Sequence, residues 1–317
     1  MFDPVFIFAA AAFAALFVYP EAAVSSAYDA ILLCGRMIIP TLLPFFVASS
    51  MLSASGALNR LAHRLAPLCS KLFGASGHAA CAFLIGISGG YPLGAAYIAD
   101  EYRKGRISRS EADKLTVFCN NSGPSFIIGA VGVAVFHSVT AGVFLYCVHI
   151  LAAFLGGVVL SGRKTESPES NAPNIKLTFS SAVTQSVKNS VASVISVCGY
   201  IVAFSVLIGI LTESGIFMGI CGSVSRISGT QLYLSRAILC GIIELGSGIA
   251  SLSGAPITPV TLSIAAFILG WGSLSVHFQS FAMLDGIKIS AARYVVGRQM
   301  IALFGASLAL FGGILLF

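Results

Sequence analysis

The stretch CNNSGPSF, residues 119–126, sets two asparagines, two serines, a glycine and a proline inside a segment that otherwise reads as one apolar helix. Pro124 has no N–H, so the carbonyl of Asn120 loses its helical partner. Gly123 admits backbone angles that other residues avoid. Asn120 and Asn121 each carry a carboxamide that donates and accepts, and Ser122 and Ser125 add hydroxyls. Such groups hold a polar solute or an ion, and left in lipid they would cost about 2–7 kcal/mol each. They therefore face protein or a water-filled cavity, as a clamp between helices or as a substrate site on a broken helix.

Three other places carry comparable chemistry. In SGGYPLG, residues 88–94, Pro92 frees the carbonyl of Ser88, Gly89 and Gly90 permit a sharp reversal, and Tyr91 offers a stacking surface. A helix N-terminus after such a break favours an anion. Glu244, in AILCGIIELGSGIASL, is a carboxylate at membrane depth, where such residues face a pathway or a partner. It is the candidate for coupling protons to transport, with Ser247 in the small-residue turn that follows. Arg36 in the first long apolar segment is either its ion partner or an anion-binding group. Gln279, with His277 as a further candidate, falls where the second half repeats the asparagine cluster. Asp285 and Glu213 are expected near the membrane surfaces, without a role. No nucleophile elbow, phosphate loop or HExxH occurs, so an enzyme is not expected. The eight cysteines form no ligand spacing, and neither a metal nor another cofactor is expected.

The elements that position these residues are membrane helices. Hydrophobic residues make up 57% of the 317 and charged residues only 9%, against about 25% charged in a soluble domain. The apolar runs are long and continuous rather than alternating, which selects helices over a barrel. The net charge of +6 then marks cytoplasmic loops rather than nucleic-acid binding. Residues 4–19 lack a basic leader and follow Asp3, so they read as a retained first helix within an N-terminal transmembrane segment, 1–27. The polar stretch 161–177 reads as a cytoplasmic linker dividing the chain.

The halves on either side, 28–160 and 178–317, repeat one order of features. A long helix ends at Ser-Gly, 55–56 or 214–215. A partly polar stretch follows, then a glycine-broken segment, 79–99 or 237–256, then an interrupted helix and a closing one. If both glycine-broken segments are re-entrant, the second half runs inverted. Fifteen of the 18 Lys and Arg, Arg298 among them, then fall on the cytoplasmic side. A rival topology, with both segments crossing fully, would move 100–114 outside. That loop reads as a solvated turn, with Ser108 and Glu111 as a capping box for the next helix. The expected fold is an all-α polytopic membrane protein with two inverted-topology repeats and broken or re-entrant helices.

Several stretches together resemble the YlbJ-like sporulation integral membrane proteins, within the broader group carrying nucleoside-recognition Gate domains. They are IIPTLLPFFVASSML, GISGGYPLGA, GRISRSEADKLTVFCNNSGPSFIIGAVG, GIIELGSG and GSLSVHFQ. The resemblance implies a transporter-like protein of the bacterial cytoplasmic or forespore membrane. In spore formers it implies movement of the aromatic dicarboxylate dipicolinate, with Ser88–Gly94, Asn120–Pro124, Glu244 and Gln279 as signature positions. The expected activity is transport of a small polar or anionic solute through a midplane site. The alternatives are a non-transporting scaffold or sensor and, among transporters, a nucleoside or cation carrier. The expected partners are the solute and the bilayer, and a homo-oligomer is compatible with them.

Overall fold

A computed structural model describes residues 3–160 and 178–317, and every regular element among them is helical. The expected linker at 161–177 lies outside the described residues. Helix α1 (Pro4–Val18) starts on Asp3, whose carboxylate accepts the Val5 N–H at 2.9 Å. It stops at Tyr19, and α2 (Pro20–Leu33) restarts at 99° to it. The single helix expected over 1–27 is therefore two, because Pro20 cannot donate the bond that would carry α1 onward. From α2 the chain passes through a wide-turned stretch, Cys34–Ile38, into α3 (Ile39–Ala54). Gly56, at φ 69°, then turns it by 76° into the amphipathic α4 (Ala57–Phe73).

Two helices, α5 (His78–Gly89) and α6 (Leu93–Arg103), form a hairpin around Gly90–Pro92. Its base is closed by His78 Nδ1 and Glu101 Oε2 at 3.2 Å, so the segment enters and leaves on one side. Helix α7 (Arg109–Cys119) breaks at Asn120 and resumes as a wide-turned helix over Ser125–Val135. Helix α8 (Val139–Val159) closes the half. The second half repeats this order. It begins with α9 (Phe179–Glu213), Gly215 at φ 74° and α10 (Ile216–Ser228). A hairpin of α11 (Leu232–Ile243) and α12 (Leu245–Ala250) turns at Glu244. Then α13 (Pro259–Trp271) breaks at Gly272 into α14 (Ser273–Met283), and α15 (Ala291–Leu316) follows.

The packing has the exchange that a two-fold relation demands. Helix α7 packs on α15 while α13 packs on α8, and α14 packs on α6 while Ser125–Val135 packs on α12. The repeats are inverted. Arg103 donates to the carbonyls of Met283 (3.2 Å) and Asp285 (3.1 Å), and Arg109 to that of Lys288 (2.7 Å). The α6–α7 loop therefore sits at the α14 end of the 25-residue segment Pro259–Met283, which is long and apolar enough to cross a membrane. Its counterpart, the α12–α13 loop, sits at the other end. The fully crossing alternative for 79–99 and 237–256 is thereby excluded.

Three expectations change. The 100–114 run is solvated only at its turn, where Arg103, Gly105, Arg109 and Ser110 are exposed, whereas Glu101, Glu111, Asp113 and Lys114 on the flanking helices are buried. Glu101 takes Arg106 through both oxygens, at 3.2 and 3.1 Å, and Ser53 at 3.3 Å. Ser108 does cap α7 through the Glu111 N–H (3.2 Å), while Glu111 accepts the N–H of Ser76 (2.6 Å). Arg298 is no cytoplasmic loop residue but is fully buried. Glu213, expected to have no role, borders the cavity described below.

Close backbone approach sets the hairpin in place. A Cβ on Gly86 would stand 1.9 Å from the Cys119 carbonyl oxygen, and one on Gly94 2.1 Å from it. The Gly94→Ala variant must push α6 off the end of α7. It should lose about 1–3 kcal/mol or more, read as a lowered melting temperature in detergent. For topology, single cysteines at Ser110 and Ser253, with the exposed Cys147 replaced by Ala, should label from opposite faces of right-side-out vesicles. Labelling of both from one face would refute the inverted arrangement.

Candidate functional site

The four interrupted segments converge. Gly90 and Gly123 abut, a Cβ on either meeting backbone of the other at 3.0 Å. In front of this junction lies a cavity of about 890 Å³, walled by α2, α3 and α9. It is lined at its inner end by Gly89, Gly90, Tyr91, Ser122, Ser125, Glu244, Ser247 and Gln279. Its other end reaches exposed Asp29, Glu213 and Arg236, at the α9–α10 side. A second cavity of about 820 Å³ lies at the basic end, lined by α3, α6 and α9 with Asp100, Arg103, Lys104 and Arg106. Phe45 lines the first cavity and its neighbour Phe46 the second.

Glu244 is itself the N-cap of α12. Its carboxylate accepts the N–H groups of Gly246 (2.9 Å) and Ser247 (2.6 Å). The helix N-terminus that could have drawn an anionic solute is thus already occupied by the protein's own carboxylate. Gln279, 3% exposed, donates to Ser275 Oγ at 3.1 Å from one turn away.

The two asparagines lie behind the cavity rather than on it, both fully buried. Their donors serve the break: Asn121 Nδ2 donates to the Phe118 carbonyl (2.8 Å), and Asn120 Nδ2 to Ser280 Oγ (2.6 Å). Ser88 points away and is exposed, its hydroxyl on the Ile85 carbonyl at 3.3 Å. Arg36 is exposed outside the cavity and makes no ion pair with Glu244. His277 is buried beside the site, its Nε2 donating to the Trp271 carbonyl (2.9 Å) with Trp271 and Tyr294 packed on its ring. Only the Asn121 carboxamide serves the backbone of the break, and the Oδ1 atoms of both asparagines are buried without a partner.

Sequence reasoning missed the residues that hold the breaks. Arg298, on α15, donates through Nη1 to the carbonyls of Asn120 (2.9 Å) and Val117 (3.3 Å). Its Nη2 donates to the Tyr91 hydroxyl and the Gly270 carbonyl. Tyr91 in turn donates to the Leu269 carbonyl at 3.1 Å. His149, on α8, accepts the N–H of Ser122 at Nε2, 3.0 Å away. A polar side chain inside an apolar run was the available signal for both. Arg298 was masked by its nearness to the basic residues Lys288 and Arg293. The His149→Leu variant leaves the Ser122 N–H buried without a partner, which should cost about 1–3 kcal/mol. The melting temperature of the purified protein should fall by several degrees. An unchanged value would mean the break does not lean on this bond.

Residues 36–159 match the family described as Gate: Nucleoside recognition. The chain is 25% identical to the sporulation integral membrane protein YlbJ of Bacillus subtilis, over 91% of its own length and 77% of that protein. A solved structure of a double variant of CNTnw in an outward-facing state superposes with a TM-score of 0.53 and 15% identity, covering 97% of this chain and 84% of that one. The last likeness establishes that this chain shares the fold of that structure. The resemblance read from the motifs therefore stands: residues 36–159 match the nucleoside-recognition Gate family, and the chain is similar over 91% of its length to a sporulation integral membrane protein.

Proposed function

We propose that this protein carries a small polar solute across the membrane, with the cavity at the four breaks as its binding site. The observation that carries the reading is the convergence itself. Irregular backbone at membrane depth is tolerated where it lines a cavity, and here three of the four interruptions, at Gly90, Gly123 and Glu244, border one of about 890 Å³, while α14, which follows the fourth, lines it through Val276 and Gln279. That size lies within the range of small-molecule sites.

The charges argue for the solute class. Glu244 stands at the inner end, and Asp29 and Glu213 toward the outer, against one cation, Arg236. A dicarboxylate such as dipicolinate would meet like charge at both ends. An uncharged solute rich in hydroxyls and ring nitrogens suits the wall better. Glu244 accepts its hydroxyl protons, Gln279 both donates and accepts, Ser122, Ser125 and Ser247 add hydroxyls, and Tyr91 supplies a ring. A nucleoside has this chemistry, and the Gate description supports that choice.

The test is thermal shift and uptake on the purified full chain, with uridine and adenosine as probes and dipicolinate as the contrast. Uridine or adenosine should raise the melting temperature and accumulate in proteoliposomes. Glu244→Gln and Gln279→Ala should each cut uptake about tenfold, roughly 1.4 kcal/mol of binding, while the variants stay folded. Stabilisation by dipicolinate alone would overturn the nucleoside assignment. Loss of folding in both variants, with no flux in the wild type, would favour a packing or sensing protein instead.

A further inference from the structure

Helix α7 ends at Cys119 and α13 ends at Trp271, both inside the protein. Each half-helix C-terminus concentrates bared carbonyls and a partial negative charge of about half an electron. In carriers built from discontinuous helices, such carbonyls are what hold a coupling cation. Here one side chain reaches both ends. The Arg298 guanidinium donates to Val117 and Asn120 at the end of α7, to Gly270 at the end of α13, and to Tyr91 in the turn of the α5–α6 hairpin. It is fully buried, and among the described residues no carboxylate pairs with it. Its counter-charge is the pair of helix ends.

Close packing makes the reach feasible. A Cβ on Gly297, the preceding residue, would stand 2.2 Å from the Val117 side chain, and one on Gly270 2.6 Å from the Ala302 backbone. The chain backbone of α15 therefore runs close against both broken helices where Arg298 projects. The planar fork of the guanidinium lets two nitrogens serve two separate breaks.

We propose that Arg298 is a tethered cation, built into the place where a dissolved coupling cation would bind the breaks. The inference rests on the transporter reading and sharpens its energetics. The carbonyls of Val117, Asn120 and Gly270 are filled, so the carrier does not draw on a sodium or potassium gradient through them. Any coupling ion would then act elsewhere in the cavity, whose ionisable groups are Glu244, Asp29, Glu213 and Arg236.

The experiment compares melting temperatures of the detergent-purified full chain in equal concentrations of choline, sodium, potassium and lithium chloride. The wild type should melt within about 1 °C in all four. Arg298→Ala should melt lower in choline and recover about 3 °C or more in at least one of the three metal salts, as the bared carbonyls recruit a cation. Two results overturn the proposal: a wild type stabilised by a metal cation as strongly as this, or a folded Arg298→Ala variant indifferent to all four. Should that variant not fold, Arg298→Lys keeps a buried cation and should remain both folded and indifferent. A sodium-responsive lysine variant sinks the idea as well. None of these measurements needs a solute, so failed uptake would refute the transporter reading while leaving this result readable by itself.

Discussion

A helix broken inside a bilayer bares amides and carbonyls that water cannot reach, and each must find a partner within the protein. Every interruption described here is answered by a side chain. Asn120 and Gly270 give their carbonyls to Arg298, Ser122 gives its amide to His149, and Gly246 and Ser247 give theirs to Glu244. Arg298 matters most because it answers both repeats at once. A buried guanidinium is costly alone, yet charge-assisted bonds to carbonyls are about twice as strong as neutral ones. The helix ends supply the negative potential that a carboxylate would otherwise bring.

This demand sorts polar groups into two sets. Asn121, His149 and Arg298, which bond the backbone at the first break, lie behind the cavity, as does Asn120, which bonds Ser280. Ser122, Ser125, Glu244, Ser247 and Gln279 line it. The same sorting applies at the basic end. There Lys104 bonds Asp100 and Ser53, and Glu101 binds Arg106, fastening α3 to α6. At the opposite end Asp29, Glu213 and Arg236 stay exposed beside the mouth of the larger cavity. The two ends thus differ in how their charges are spent, not merely in how many they carry.

Much of the architecture was legible because it depends on local rules. Ser-Gly at 55–56 and 214–215 fixed the sharp turns, since glycine tolerates the left-handed angles both turns use. Pro92 and Pro124 marked the breaks, and reading both glycine-broken segments as re-entrant gave the inversion, with the charge distribution in agreement. The facing of individual side chains was not legible. Asn120 and a cavity-lining serine look alike in sequence, and only tertiary packing decides which polar atom meets a bared carbonyl. Arg36 and Arg298 show the same limit from opposite sides. The first lies in a long apolar run yet is exposed, while the second lies near a basic loop yet is buried. Helix rotation and axial packing decide both, and neither is written in residue type.

The inverted repeats also clarify why the first break holds its shape. The last helix of each repeat contributes one basic side chain, and the two act on opposite sides of Asn121. Arg298, from α15, donates to the carbonyl of Asn120; His149, from α8, accepts from the amide of Ser122. The acceptor role requires Nε2 of His149 to carry no proton, whereas Arg298 is cationic throughout. One helix therefore holds the carbonyl and the other the amide, and the two helices also pack on each other. A shift of α8 against α15 would strain these bonds in opposite senses. Relative movement of those two helices is thus coupled to the geometry of Ser122, whose neighbouring atoms form the cavity wall.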